Sequence, residues 1–212
     1  NAKTVQMANL PVMICERATP SLFYVAMKRA MDIVISLIGL VIASPFLLIT
    51  AIAINAYDHG PVFYKQVRLT KNGREFKILK FRSMKVDAEK DGVARLSSEN
   101  DDRITPVGKV IRACRIDELP QLINILKGDL AVVGPRPERP EIAAQYVEEM
   151  PEFSLRLQVK AGLTGYAQVY GKYNTTPIDK LKLDLTYIQE YSYRLDLKML
   201  LLTFRIVFRK EC

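Results

Sequence analysis

The 212-residue chain carries 31 Lys and Arg against 23 Asp and Glu, a net charge of +8, and 49% of its residues are hydrophobic. This length suffices for one large domain or two small ones with a proper core, and a charged fraction of 25% excludes global disorder and low-complexity scaffolding. The hydrophobicity is uneven: residues 33–57 are 25 consecutive positions without a formal charge, and residues 1–58 carry only +1, which leaves +7 on the polar remainder.

Cys15, Cys114 and Cys212 are isolated and odd in number, which argues against a disulfide framework or a Cys-built zinc site and suits a reducing compartment. The single histidine, His59, sits in Asp58-His59-Gly60-Pro61 and reads as part of a turn. Catalysis therefore falls to carboxylates, Lys, Arg, Ser, Thr or Tyr. The chain begins with Asn, not Met, and is expected to be a fragment of a longer one.

In chain order, the first element is the uncharged run. It exceeds the roughly 20 residues needed to cross a bilayer core. Pro45 divides it into 33–44 and 46–57, about 18 Å of helix each at roughly 1.5 Å per residue. Proline removes a backbone donor and crowds the preceding turn, and Ser44 can bond a freed carbonyl. Lys28-Arg29 precede the run, and Lys65, Arg68, Lys71 and Arg74 follow it. Basic residues at both ends favour one cytoplasmic side for both. A re-entrant helix-break-helix satisfies that, while a kinked full span and a buried soluble helix remain as alternatives.

Residues 62–69 read as a strand, 71–74 as a turn and 75–84 as a second strand, together a β-hairpin. Residues 86–103 suit an exposed loop. Thr105-Pro106 and Gly108 open a short helix to Arg112. Leu119, Leu122, Ile123 and Leu126 recur at helical spacing before Gly128, with Pro120 placed for that helix's first turn. Residues 138–150 and 153–159 read as helices. Residues 195–210 present a broad apolar face flanked by basic residues, the pattern of an interfacial amphipathic helix or of a core-packing one. The class expected is α+β, mostly helical, with a small β-hairpin.

The densest chemistry lies in Arg112-Ala113-Cys114-Arg115-Ile116-Asp117-Glu118. Asp117 and Glu118 fall before the helix, where one could cap it, or where the two could serve one site in two roles. Lys80, Arg82, Arg112, Arg115 and Arg136, the last between Pro135 and Pro137, surround them in sequence with the cations that phosphate recognition uses. A nucleic-acid footprint is not supported, because there is no basic helix, no stacking aromatic pair and no reader motif.

Several ordered motifs closely resemble the bacterial sugar transferase family, the monotopic polyprenyl-phosphate phosphoglycosyl transferases. They are Lys28-Arg29 with Asp32, Ser44-Pro45, Lys80-Phe81-Arg82-Ser83-Met84, Asp117-Glu118-Leu119-Pro120-Gln121-Leu122, Leu126-Lys127-Gly128-Asp129, Val133-Gly134-Pro135-Arg136-Pro137 and Gly162-Leu163-Thr164-Gly165-Tyr166. The resemblance covers about residues 26–210, and the longer tail is similar to the large exopolysaccharide-type members. It departs from the family at Tyr166, where Trp is usual, at Ala161, where Pro is frequent, and at Arg115, where a small hydroxyl residue is common.

This resemblance implies that residues 1–25 are a linker from a missing N-terminal region, 26–58 a re-entrant membrane helix, and 59–212 a cytoplasmic catalytic domain. It implies Asp117 as a nucleophile that takes a phosphosugar from a UDP-sugar, releases UMP and passes the group to polyprenyl (undecaprenyl) phosphate. Mg²⁺ on Asp117 and Glu118 would offset like-charge repulsion. Lys80, Arg82, Arg112 and Arg115 are assigned to substrate phosphates, Pro135-Arg136-Pro137 to the uridine end, and Lys172 to a phosphate. Ser44-Pro45 is the membrane break, and Lys28-Arg29 face the headgroups. The location implied is the cytoplasmic face of a bacterial inner membrane, at the first membrane step of polysaccharide synthesis. The sugar and the oligomeric state, a homodimer included, stay open. The alternative is a non-catalytic nucleotide-sugar-binding scaffold at the membrane surface.

Overall fold

In a computed structural model that describes residues 3–7, 10–14, 21–88, 101–171 and 175–208, the uncharged run lies inside a single helix, α1 (Leu22–Asp58). Ser21 caps its start by accepting from the Tyr24 amide, and His59 closes its end in a left-handed conformation. His59 is thus the turn residue expected. The expected pair of helices is not two elements, because Pro45 does not end the first. Proline has no N–H for the carbonyl four residues back, which is Val41, and the Ser44 hydroxyl donates to that oxygen at 2.8 Å. A local replacement bond keeps the helix assignment continuous through the proline.

One stripe of α1 is buried and includes Tyr24, Lys28, Asp32, Ser36, Ala43, Thr50 and Ile54. The opposite face is apolar and open, with Val41 73% and Ile42 68% exposed. Both ends of the helix sit on the same body. Near its start, Lys28 pairs with Asp196; near its end, Ile54 packs with Phe81 and Ile111, and Asp58 pairs with Arg82.

That body begins with the expected hairpin, β3 (Phe63–Leu69) antiparallel to β4 (Glu75–Phe81), in a register that sets Tyr64 opposite Lys80. Phe76, Ile78 and Phe81 of β4 are buried. Asn72 and Gly73 turn the chain with positive φ, a conformation Gly and Asn adopt most cheaply. β4 ends at Phe81, not at residue 84, and Met84 instead bridges to Ile104. An upstream hairpin, β1 (Lys3–Met7) with β2 (Leu10–Ile14), occupies part of the stretch read as linker.

The helix opened by Thr105 is α2 (Pro106–Ala113), with Thr105 Oγ1 accepting from the Gly108 amide at 2.9 Å. A 3₁₀ turn, Ile116–Glu118, leads through Pro120 to α3 (Gln121–Lys127), which Gly128 terminates in the left-handed region. β5 (Ala131–Val133) then runs parallel to β6 (Gly162–Thr164), with α4 (Pro140–Glu149) and a 3₁₀ segment (Pro151–Gln158) between them. The second of the two helices expected there is therefore 3₁₀. α5 (Tyr166–Tyr170), α6 (Pro177–Gln189) and α7 (Tyr193–Phe208) complete the order.

The main core joins β4, α3, β5, α6 and α7 through Ile78, Ile125, Leu130, Val133, Tyr187 and Met199. α7 has both faces that its sequence suggested: Leu195, Asp196 and Met199 are buried, while Leu197, Leu201 and Phe204 are open. Within that core, Tyr187 and Lys28 both reach Asp196, and Tyr24 donates to Asp196 Oδ2 at 2.7 Å.

Candidate active site

Asp117 and Glu118 stand on the 3₁₀ turn between α2 and α3. They are not in the first turn of α3, whose N-cap is Pro120. The turn is possible because Arg115 takes a left-handed φ of 54°, reversing the chain after Cys114. Glu118 Oε1 receives two charged donors, Lys80 Nζ from β4 at 2.8 Å and Arg136 Nη2 from the loop after β5 at 2.8 Å. Three segments distant in sequence thus meet on one carboxylate. Asp117 has no hydrogen-bond or ion-pair partner among the described residues.

The electrostatics separate the two acids. Burial opposes the Glu118 charge, but Arg136 and Lys80 together outweigh it and hold that carboxyl well below the usual range. Burial and then the neighbouring Glu118 push Asp117 up, against Lys80, Arg112 and Arg136. Burial also lowers Lys80, while the Glu118 charge raises Arg136 further. One acid is held towards its ionised form; the other has no bonding partner among the described residues and is more easily protonated.

Arg112 completes the cationic wall. Its Nε donates to Ser83 Oγ at 2.8 Å. Ser83 comes that close because Gly108 has no side chain: a Cβ there would lie 1.9 Å from the Ser83 carbonyl oxygen.

The Arg136 loop is fixed from behind. The Gly134 amide donates to Thr164 O at 2.8 Å and the Gly162 amide to Pro135 O at 2.9 Å. A Cβ on Gly162 would meet the Gly134 nitrogen at 2.1 Å, so the two glycine motifs of the sequence exist to let these backbones touch. Pro135 and Pro137 are buried frames on either side of Arg136, whose guanidinium is half exposed. Arg156 Nη2 donates to the Arg136 carbonyl at 2.9 Å and pairs with Asp184 at 2.6 Å. Asp184 is fully buried, and burial pushes its carboxyl up to about 6 against the pull of Arg156. A mostly apolar cavity of about 240 Å³ lies beside this loop, bounded by Thr70, Ala143, Phe153 and Leu157.

Of the residues proposed from sequence, Lys80, Arg112, Asp117, Glu118 and Arg136 come together. Arg115 is exposed at the turn. Arg82 does not join them: its side chain is 8% exposed and pairs with Asp58 at the end of α1, so it ties that helix to the chain just after β4. Lys28 and Arg29 are likewise turned inward and not to headgroups. Lys28 is buried on Asp196, and Arg29 donates to the carbonyls of Ile125 and Leu126 at 2.5 and 2.6 Å, capping α3. Both basic side chains find buried or terminal acceptors that outcompete water. Lys172 lies outside the described residues.

Sequence reasoning missed Asp184 and Asp196. Their signal was a lone carboxylate on an apolar helical stripe, as in Leu181, Asp184 and Ile188.

The sequence profile described as bacterial sugar transferase matches residues 23–210. The chain belongs to this family. It is 41% identical over 191 residues to a UDP-N-acetylgalactosamine-undecaprenyl-phosphate N-acetylgalactosaminephosphotransferase of Aeromonas hydrophila, a match covering 89% of this chain and 45% of that protein. It is 41% identical over 182 residues to a UDP-glucose:undecaprenyl-phosphate glucose-1-phosphate transferase of Escherichia coli K12, covering 84% and 39%. A protein of the same name from Caulobacter vibrioides is 39% identical over 181 residues, covering 83% and 67%. The chain spans less than half the length of the first two.

Proposed function

We propose that this chain transfers a sugar 1-phosphate from a UDP-sugar to polyprenyl phosphate through a covalent intermediate on Asp117. The observation that carries the reading is the division of labour in the acidic pair: Glu118 is held by Lys80 and Arg136, and Asp117, beside the same cations, has no bonding partner among the described residues. An Asp117 carboxylate oxygen attacks the β-phosphorus, and the bond to the bridging oxygen breaks to release UMP. An oxygen of polyprenyl phosphate then attacks the same phosphorus and returns the free carboxylate. Splitting the transfer in this way predicts ping-pong kinetics.

Lys80, Arg112 and Arg136 hold the diphosphate and stabilise the charge that accumulates as the leaving phosphate departs. The cavity beside Pro135 and Arg136 supports placing the nucleoside there. A divalent cation fits the donor set, because Mg²⁺ typically takes one or two carboxylates and completes its shell with water and substrate phosphates. Asp117 and Glu118 would hold it, and when bound it screens the repulsion between carboxylate and diphosphate. No group of three metal-ligating side chains occurs among the described residues.

The bilayer reading rests on α1. Its open apolar face and the seating of both its ends on one body support a helix that enters and leaves the cytoplasmic leaflet on the same side. The exposed Leu197, Leu201 and Phe204 of α7 support a second contact with that surface. A soluble donor and a lipid acceptor would then meet at the interface. The names of the relatives include both glucose and N-acetylgalactosamine, so the donor is assigned only as a UDP-sugar.

The deciding experiment incubates purified protein with a panel of labelled UDP-sugars. The expected result is UMP release and a phosphosugar adduct on Asp117, absent in Asp117→Asn. Full turnover by that variant removes the nucleophile, and an inert wild type favours a binding scaffold. Topology is tested with single cysteines at Ala26 and Ala56 after the native cysteines are replaced. Labelling of both from one side is expected, and labelling from opposite sides would sink the re-entrant reading.

A further inference from the structure

The two walls of the acidic site are carried by different elements, α3 with its preceding turn and the loop after β5. Both are gripped by one short stretch of α1. Arg29 donates through both terminal nitrogens to the last carbonyls of α3, those of Ile125 and Leu126. Asp32, three residues on, accepts from the Val132 amide of β5 at 3.0 Å. Two residues beyond Val133 comes Pro135, and then Arg136. The Val133 carbonyl is 3.1 Å from the Tyr187 hydroxyl, whose other neighbours are Asp196 at 2.7 Å and Lys28 at 3.3 Å. The strand that aims Arg136 therefore takes one of its amide bonds from the membrane-facing helix, not from another strand.

We propose that Arg29 and Asp32 are positioning residues: spaced about one helical turn apart, they set the separation between the Asp117–Glu118 turn and Arg136, and so the fit of the site to a diphosphate. Neither touches the reacting groups. A helix unseated from the body would release β5 and α3 independently, and the Glu118–Arg136 contact would loosen. Seating of α1 and competence of the site are thus coupled.

The test uses the full chain in lipid nanodiscs, with UDP as the titrated probe and UMP release from UDP-sugars measured in parallel. It rests on the reading above only for the second measurement, since UDP binding needs no turnover. Asp32→Ala and Arg29→Met are expected to weaken UDP binding and raise the donor KM about tenfold to a hundredfold, with kcat changed much less. Asp32→Asn keeps an acceptor oxygen for Val132 and should restore wild-type affinity. Ser36→Ala, buried on the same helix without a bond to β5 or α3, serves as the control and should bind UDP normally. Thermal denaturation identifies any variant that fails to fold, and the half-exposed Arg29 keeps the test informative if Asp32→Ala is one. Equal UDP affinity across these variants overturns the proposal, and so does Asp32→Asn failing together with Asp32→Ala. A wild type that binds UDP and releases no UMP removes the reaction and leaves the positioning intact.

Discussion

Two ionic clusters organise this molecule, and they are built to opposite specifications. In the anchor, Lys28 and Asp196 form one buried pair, 6% and 0% exposed, and the tyrosines Tyr24 and Tyr187 complete the carboxylate's bonds. Charge is cancelled and the acceptor oxygens are used. In the site, three cations, Lys80, Arg112 and Arg136, face two carboxylates, and one of those carboxylates bonds to nothing described. The first arrangement holds a helix in place. The second leaves an acid with no bonding partner among the described residues, which is costly for a fold and useful at a site for an anionic substrate.

If that contrast is right, the largest effect should come from the unbonded acid. Asp117→Asn is isosteric and leaves the Glu118 clamp untouched, so folding should survive. UMP release should fall on the order of 10⁴-fold or more, as for loss of other covalent nucleophiles. Radiolabelled donor on a gel reads both turnover and adduct.

The anchor should respond in stability. Lys28→Met leaves Asp196 buried without its cation, and unfolding by denaturant should show a loss of about 3–5 kcal/mol. The double variant Lys28→Met, Asp196→Asn should recover much of it, because a neutral amide of the same size needs no cation and its oxygen still accepts from a tyrosine hydroxyl. No such recovery is expected at the site, where the proposed reaction gives each charge a separate task.

The contrast also explains what was legible in the sequence. The residues that the fold brings together stand out in the sequence because they are clustered in motifs and chemically unusual: a tandem acid pair, an arginine between prolines, paired glycines. The hairpin and α3 were found from strand alternation and helical spacing. β5 and β6 were not, since three residues are too few for a period to show. The roles of Lys28, Arg29 and Arg82 were misread, because a basic residue beside an apolar run looks the same whether it meets a headgroup or a buried carboxylate. Asp196, on a helix 168 residues away, decides between them for Lys28.

A smaller effect is expected at Arg136, where geometry can be separated from charge. Arg136→Lys keeps the cation and loses the planar fork, and a single charged hydrogen bond lost is worth about 1.5–3 kcal/mol. The donor KM should rise roughly tenfold to a hundredfold, with the adduct still formed. If kcat falls and KM does not, Arg136 serves the transition state alone, and its place in ground-state binding is wrong.

The smallest effect lies in the pH dependence of stability, and it bears most directly on whether the free acid is a burden. Burial and Glu118 raise Asp117 above the ordinary aspartate value. The folded protein therefore holds that proton more tightly than the unfolded chain does. Stability from this group is fully present below the unfolded value, near 3.9, and is lost as pH rises through the higher folded value. Asp117→Asn should then be slightly more stable than wild type at neutral pH, with the advantage shrinking to nothing in acid. Over the same window the proposed nucleophile ionises, so the acid limb of the rate profile should lie above that of a free aspartate. Arg112→Ala should move that limb higher still, and Glu118→Gln should move it lower. Melting curves and initial rates across one pH series would test both, and a variant less stable than wild type at neutral pH would show that Asp117 is a structural acid after all.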